Sequence, residues 1–251
     1  MRGAIKMERK LKYDSLYDEI YALMSLELAF PGYSVNMLKS ESPDWQDYVS
    51  NIGLEISRAD NKITGKVQFL LNKYRGKTGN GISDTGTHLI HYGEDRRFIA
   101  VSHDINGNKY IDLAVEAVEK KLSKLNKYRS AEENELYLFS GMDGGEVDIK
   151  TFIQKYIGAE QKRNYSRRFY KIYIFDNDAL YTITTNDFSY QRYLLSHEEL
   201  SRLKSCALHM RETIEWENGT SFYDMLISTD FSIYLTEMRE TLRLKSSQRG
   251  R

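Results

Sequence analysis

The chain has 251 residues, of which 41% are hydrophobic and only two are proline, so it can bury a substantial core and is not a low-complexity linker protein. Its 36 lysines and arginines balance 36 aspartates and glutamates, which excludes a protein drawn to nucleic acid or membranes by its overall charge. A single cysteine cannot form an internal disulfide. Because the N-terminus has no apolar run and no segment approaches roughly 18 apolar residues, we expect a cytoplasmic protein without a membrane-spanning segment.

The first part of the chain has the pattern of a helix followed by two strands. Apolar residues recur at helical spacing over residues 13–30, and Pro31-Gly32 then ends the helix. Residues 33–39 and 51–59 alternate apolar and polar side chains, as half-buried strands do. A second helix is predicted at 61–74, and a loop at 75–86 follows it.

The remainder alternates helices and strands before becoming helical. The predicted elements are helices at 110–128 and 148–157, strands at 135–141 and 170–178, and helices from 197 onwards. In the 110–128 helix the apolar residues point inward, which leaves Lys120, Lys121, Lys124 and Lys127 towards water.

These elements predict an α/β protein in which a central mixed sheet is flanked by helices, with a helical C-terminal extension. We place the α/β core at residues 1–195, the extension at 196–245 and a disordered basic tail at 246–251. The sequence leaves open whether the protein forms a homo-oligomer.

Two acids are candidates for a metal site. In the 51–59 strand, Ile52, Leu54 and Ile56 share one face, so Glu55 and Ser57 share the other. Asp44 directly follows Pro43, where a hairpin-like return can bring its carboxylate towards that of Glu55. Paired carboxylates suit a hard divalent cation such as Mg²⁺ or Mn²⁺, which activates water and offsets phosphodiester charge.

Glu27 is a third candidate, because it lies within the apolar stripe of the first helix and a buried carboxylate needs a partner. Each acid alone has a simpler interpretation: Asp44 as a turn residue, Glu55 as a solvent-facing strand residue, and Glu27 as a buried acid paired with a basic residue. Asp176 and Asp178, at the end of a predicted strand, form a weaker alternative pair for a metal.

Over about residues 13–75 these features resemble the PD-(D/E)XK superfamily of restriction-endonuclease-like nucleases. Pro43-Asp44 is similar to the PD of the family, and Glu55-Ile56-Ser57 is similar to its acid-X-Lys tripeptide. Glu27 lies where many members have a helix-borne acid. The resemblance implies a restriction-endonuclease-like core and Mg²⁺-dependent endonuclease cleavage of nucleic acid, DNA above all, in defence or DNA processing.

The chain departs from the pattern at Ser57, where the family has a lysine that orients water and stabilises developing charge. Lys66, on the helix after Glu55, is the first candidate to replace it, and Lys62 is the second. The catalytic set is then Glu27, Asp44, Glu55 and Lys66, with Asp44 and Glu55 as metal ligands. The alternative is an inactive nuclease-fold protein that binds nucleic acid or acts as a scaffold.

Basic residues mixed with aromatic ones over 161–171 suit contacts to phosphates and exposed bases, although a solvated loop would have the same composition. The residues expected to contact nucleic acid are Arg163, Arg167, Arg168 and Lys171, with Lys120 and Lys124 as further candidates.

Overall fold

A computed structural model describes residues 15–59, 70, 73–74, 76–84, 88–103, 107–125, 131–142, 145–163 and 167–228. The chain divides into two compact units. We call residues 1–52 with 196–251 the terminal unit, and residues 53–195 the central unit. None of the described helices is long and apolar enough to cross a membrane.

In chain order, the described elements are α1 (Ser15–Ala29), β1 (Met37–Lys39), β2 (Trp45–Asp47), β3 (Ile52–Arg58), β4 (Ile82–Asp84), β5 (His88–Tyr92), β6 (Phe98–His103), α2 (Gly107–Leu122), β7 (Glu133–Phe139), α3 (Glu146–Arg163), β8 (Lys171–Asp176), β9 (Ala179–Thr184), β10 (Tyr190–Leu194), α4 (His197–Thr213) and α5 (Phe222–Ser228).

The terminal unit joins the two ends of the chain. Helix α1 packs on α4, and β1 pairs antiparallel with β2. Backbone hydrogen bonds also link β1 to the segment before α5, from Lys39 N to Thr220 O at 2.9 Å and from Gly219 N to Lys39 O at 2.7 Å. Trp45 meets the rings of Trp216 and Phe222 edge-on, at centroid distances of 5.5 Å. Aromatic packing therefore holds β2 to the C-terminal segment.

The central unit is built on a mixed sheet. Its strands are hydrogen-bonded in the order β3-β7-β8-β9-β10, with β7 parallel to β8 and the last two pairs antiparallel. Helix α3 connects β7 to β8, the crossover that adjacent parallel strands require. Helices α2 and α3 pack against each other, and their apolar faces share one core with alternate residues of β7, β8 and β9.

The predicted class is confirmed: an α/β fold with a mixed sheet, flanking helices and C-terminal helices. The predicted 33–39 strand is wrong in extent, because residues 31–36 form turns and only Met37–Lys39 are extended. Helix α2 begins and ends earlier than predicted, and α3 extends beyond 148–157 at both ends. The helix at 61–74 lies largely outside the described residues, as do the end of the 196–245 extension and the 246–251 tail.

Six of the described strands were not predicted, and one of them is the short β2 at Trp45–Asp47. Strands β9 and β10 extend the main sheet, and β4, β5 and β6 form a separate antiparallel sheet over residues that include part of the predicted 75–86 loop. Ile90 in β5 is fully buried, whereas Ile82 and Ile99 on the flanking strands are more than 60% exposed. The apolar side chains of β4, β5 and β6 therefore do not follow the regular alternation that identifies a half-buried strand in a sequence.

Candidate functional site

The central unit contains a buried acid–lysine pair between β3 and α2. Glu55, in the middle of β3, is only 6% exposed, and its Oε1 accepts a hydrogen bond from the Lys121 ammonium group. The same ammonium donates to the carbonyl oxygen of Ile56 at 3.3 Å. Two oxygens of consecutive residues therefore converge on one positive charge.

The positions of both groups follow from the way β3 and α2 are buried. Leu54 and Ile56 are buried on one face of β3, so Glu55 is directed to the opposite face. In α2, Ala114, Val118 and Leu122 form the buried stripe. Lys121 lies at the edge of that stripe in the last turn, where its aliphatic stem can follow apolar surface to the carboxylate. The expectation that Lys121 points to water is therefore wrong, and so is the interpretation of Glu55 as solvent-facing.

The oxygens of Glu55 and Ile56 fit a hard cation. A carboxylate and a backbone carbonyl are ligands that Mg²⁺ and Mn²⁺ accept, with the remaining positions filled by water and phosphate oxygens. The Lys121 ammonium stands in for such a cation, since it contacts both oxygens at once. Within the described residues, no group of three or more His, Cys, Asp or Glu side chains could hold a metal ion.

Asp44 belongs to the terminal unit and follows a cis Ser42-Pro43 bond. Its side chain is half-buried, and its backbone carbonyl accepts hydrogen bonds from Ser40 N at 3.0 Å and from the Lys39 ammonium at 3.2 Å. Lys39 also forms a 2.9 Å ion pair with Glu19 of α1. These contacts fix the turn that carries Asp44.

Glu27, also in the terminal unit, is fully buried and holds the chain after α1. Its carboxylate accepts hydrogen bonds from Gly32 N at 2.8 Å, and from Ser34 N and Ser34 Oγ, both at 2.7 Å. These bonds satisfy backbone donors of the 31–36 turns, which explains why that segment is not a strand. The partners of this buried acid thus include a turn, which the sequence did not indicate.

The remaining site residues considered in the sequence analysis are Lys62, Lys66, Asp176, Asp178 and Ser57. Lys66 and Lys62 lie outside the described residues. Asp176 is buried at the end of β8, and Asp178 is exposed in the turn that follows. Ser57 is half-buried two residues after Glu55, and therefore on the same face of β3.

Several predicted nucleic-acid contacts have structural partners. Arg167 donates to the carbonyls of Leu125 and Ala131 at 3.0 and 3.1 Å. Lys171 lies 3.3 Å from Glu135, a fully buried acid that also accepts a 2.9 Å hydrogen bond from the Tyr173 hydroxyl.

Arg168 pairs with Glu160 at 3.3 Å, although its own side chain is 58% exposed. Lys120 and Lys124 are exposed, and Arg163 ends α3 with a side chain outside the described set. Only part of the predicted basic surface is therefore available to a polyanion.

Glu55, the acid in the nuclease resemblance, thus contacts a lysine within the central unit. That lysine is Lys121 of α2, and it does not come from β3 itself. No protein-family model, curated protein or solved structure matches this chain.

Proposed function

We propose that the protein is a Mg²⁺- or Mn²⁺-dependent nuclease of the PD-(D/E)XK type that hydrolyses phosphodiester bonds, with DNA as the first substrate to test. The observation that carries the proposal is the Lys121 ammonium bonded to both Glu55 and the Ile56 carbonyl. A buried strand carboxylate, an adjacent carbonyl and a lysine are the groups that metal-assisted hydrolysis of a phosphodiester uses.

Each group has a distinct role in this proposal. Glu55 and the Ile56 carbonyl would hold the cation, and Asp44 is the second carboxylate that the resemblance implies. When bound, the ion supplies an activated water and offsets negative charge on the phosphodiester. The flexible stem of Lys121 lets its ammonium turn from Glu55 to a phosphate oxygen, where it donates a hydrogen bond to the charge that develops. Lys121 then replaces the lysine absent at Ser57, the role for which the sequence suggests Lys66.

One observation favours a second function, that of an inactive nuclease-fold protein that binds nucleic acid or acts as a scaffold. Lys121 already neutralises Glu55, and Ser57 has no amine to take part in catalysis. In that case the ion pair only fastens β3 to α2.

The test is cleavage of plasmid, single-stranded DNA and RNA by the purified chain with Mg²⁺, Mn²⁺ or chelator. We expect metal-dependent cleavage that Glu55→Gln abolishes. Lys121→Gln should lower the rate roughly 10²- to 10⁴-fold, the range typical of a charge-stabilising or proton-transfer group.

The matched control is Lys155→Gln. Lys155 of α3 also pairs with a carboxylate on a neighbouring element, Asp112 at 2.6 Å, but this pair is exposed. The control should cleave like the wild type. Cleavage that persists in Glu55→Gln would refute the assignment of Glu55, and a wild type that neither cleaves nor binds Mn²⁺ by calorimetry would establish the inactive function instead.

A further inference from the structure

The small sheet of the central unit has a basic and aromatic edge that no role proposed above uses. The segment after Tyr74 runs antiparallel beside the segment leading into β6: Phe98 N donates to Lys77 O at 3.1 Å, and Gly79 N donates to Arg96 O at 2.9 Å. An isolated bridge joins Thr78 to Arg97. Backbone pairing therefore holds Lys77 beside Phe98, and Arg96 beside Gly79 two residues further along.

Gly79 permits the close packing of this edge. A Cβ atom at this position would lie 2.4 to 2.7 Å from ring atoms of Tyr92, so only glycine allows that approach. Arg96 has a φ of +60°, a backbone conformation that glycine and asparagine adopt more readily. A large basic side chain is thus held at a position that favours a small residue.

Two rings and two ammonium groups meet at this edge. Tyr74 and Phe98 are stacked, with centroids 6.4 Å apart and planes inclined by 28°, and both are half-buried. The ammonium groups of Lys73 and Lys77 lie 5.4 and 5.3 Å from the centroid of the Tyr74 ring. Neither lysine has a carboxylate partner among the described residues.

We define the Tyr74–Phe98 surface as Lys73, Tyr74, Lys77, Arg96 and Phe98. Its charges are all positive. Among the described residues, the acids beside this surface along the chain are Glu94 and Asp95, in the turn before β6, and Asp95 is paired with the Nε of Arg97 at 3.5 Å. The surface therefore keeps an excess of positive charge in a molecule whose net charge is zero.

We propose that the Tyr74–Phe98 surface binds single-stranded nucleic acid, with its basic side chains contacting successive phosphates and its ring pair stacking on an unpaired base. Alternating cations and aromatic rings are the arrangement that non-sequence-specific single-strand binding uses. A duplex keeps its bases stacked on each other and offers no face to the rings. An acidic protein segment would use the charges but gain nothing from the rings.

This inference does not depend on catalysis at Glu55. Binding is measured in the presence of chelator, where a metal-dependent nuclease cannot cleave. Binding can therefore be observed in a protein that does not cleave, and cleavage can be observed in a protein whose Tyr74–Phe98 surface does not bind.

The experiment is fluorescence anisotropy with a labelled single-stranded 20-mer, its duplex, an abasic 20-mer and poly-glutamate, each over a series of salt concentrations. Lys73→Gln with Lys77→Gln should flatten the slope of log affinity against log salt by about 1.4, since each phosphate contact on a single strand contributes about 0.7. Phe98→Leu should weaken binding of the normal strand about five- to 150-fold, the effect of losing one stacked base. The same substitution should leave the abasic strand unaffected.

Lys109→Gln with Lys150→Gln is the charge control, because it removes two exposed lysines, on α2 and α3 of the same unit, that have no predicted role in binding. Tyr193→Leu on β10 is the ring control. Both should bind like the wild type. Circular dichroism and amide exchange over β4–β6 verify that Phe98→Leu is folded. Equal affinity for duplex and single strand, equal loss in the charge control, or tighter binding of poly-glutamate than of the 20-mer would each overturn the proposal.

Discussion

Replacing Lys121 by methionine tests whether the pair with Glu55 is an energetic centre of the central unit. Methionine keeps most of the side-chain volume but leaves the Glu55 carboxylate, whose side chain is only 8% exposed, without its cation. Removing one partner of a buried ion pair costs about 3–5 kcal/mol. Because the Lys121 side chain keeps 19% of its exposure, water can reach the site, and we expect a loss of about 2–3 kcal/mol in the free energy of unfolding.

Urea unfolding measures this loss. Lys121→Met with Glu55→Gln should recover most of it, because the second change removes the uncompensated charge. A loss below about 0.5 kcal/mol for Lys121→Met, typical of a surface substitution, would refute the reasoning.

Two additions to the same assay connect the pair to the proposed function. Mg²⁺ should stabilise Lys121→Met more than the wild type, because the cation no longer competes with the ammonium. Saturation at 100 times the dissociation constant contributes about 2.7 kcal/mol. Adding Ser57→Lys should also restore part of the lost stability, and part of any lost cleavage rate, since residue 57 lies on the same face of β3 as Glu55. Equal Mg²⁺ effects in both proteins would show that Glu55 holds no cation.

Two further predictions concern side chains outside this pair. Glu27→Gln should lower the free energy of unfolding by about 1.5–3 kcal/mol, the value of hydrogen bonds to a charged acceptor. As a control, Glu41→Gln should change the free energy of unfolding little, because Glu41 is exposed. A Glu27→Gln protein of unchanged stability that loses cleavage would show a catalytic role instead. Burial raises the pKa of the Cys206 thiol to about 12, and the positive charge of Arg202 opposes this with a smaller effect. The rate at which Cys206 is alkylated should therefore still rise with pH above 9, where the rate for a free cysteine levels off. A plateau of the alkylation rate near pH 8.5 would contradict this.

The elements that the sequence predicted well are those whose apolar residues recur with a clear period. Helix α1 and strand β3 agree with their predicted limits to within one or two residues, although each is buried over consecutive residues and not on one side alone. The 33–39 segment also alternates, but Glu27 draws its backbone amides into turns. That competition depends on a contact between residues five and seven positions apart, which periodicity alone does not register.

The candidate site was predictable only in part. Glu55 stood out as an acid on a half-apolar strand, but that pattern did not predict its burial, because both faces of β3 are buried around it. Its partner did not stand out, because Lys121 is one of four lysines near the end of α2, and a helical pattern cannot tell which of them turns inward. The replacement lysines that the sequence suggests, Lys62 and Lys66, are close to Glu55 along the chain, whereas Lys121 is 66 residues away.

The position of Lys121 follows from the requirements of a buried acid. The buried carboxylate of Glu55 needs a cation beside it, since an uncompensated buried charge is costly. With serine at position 57, the strand itself offers no cation on that face. Helix α2 packs in the same core as β7 and β8, and its last turn brings a lysine within reach without interrupting the apolar stripe. Stability of the fold alone therefore accounts for the pair in the absence of ligand. A structural and a catalytic role of Lys121 are separated by testing whether a divalent cation displaces its ammonium group from Glu55. A lysine with a purely structural role should stay bound to Glu55 when the cation is added.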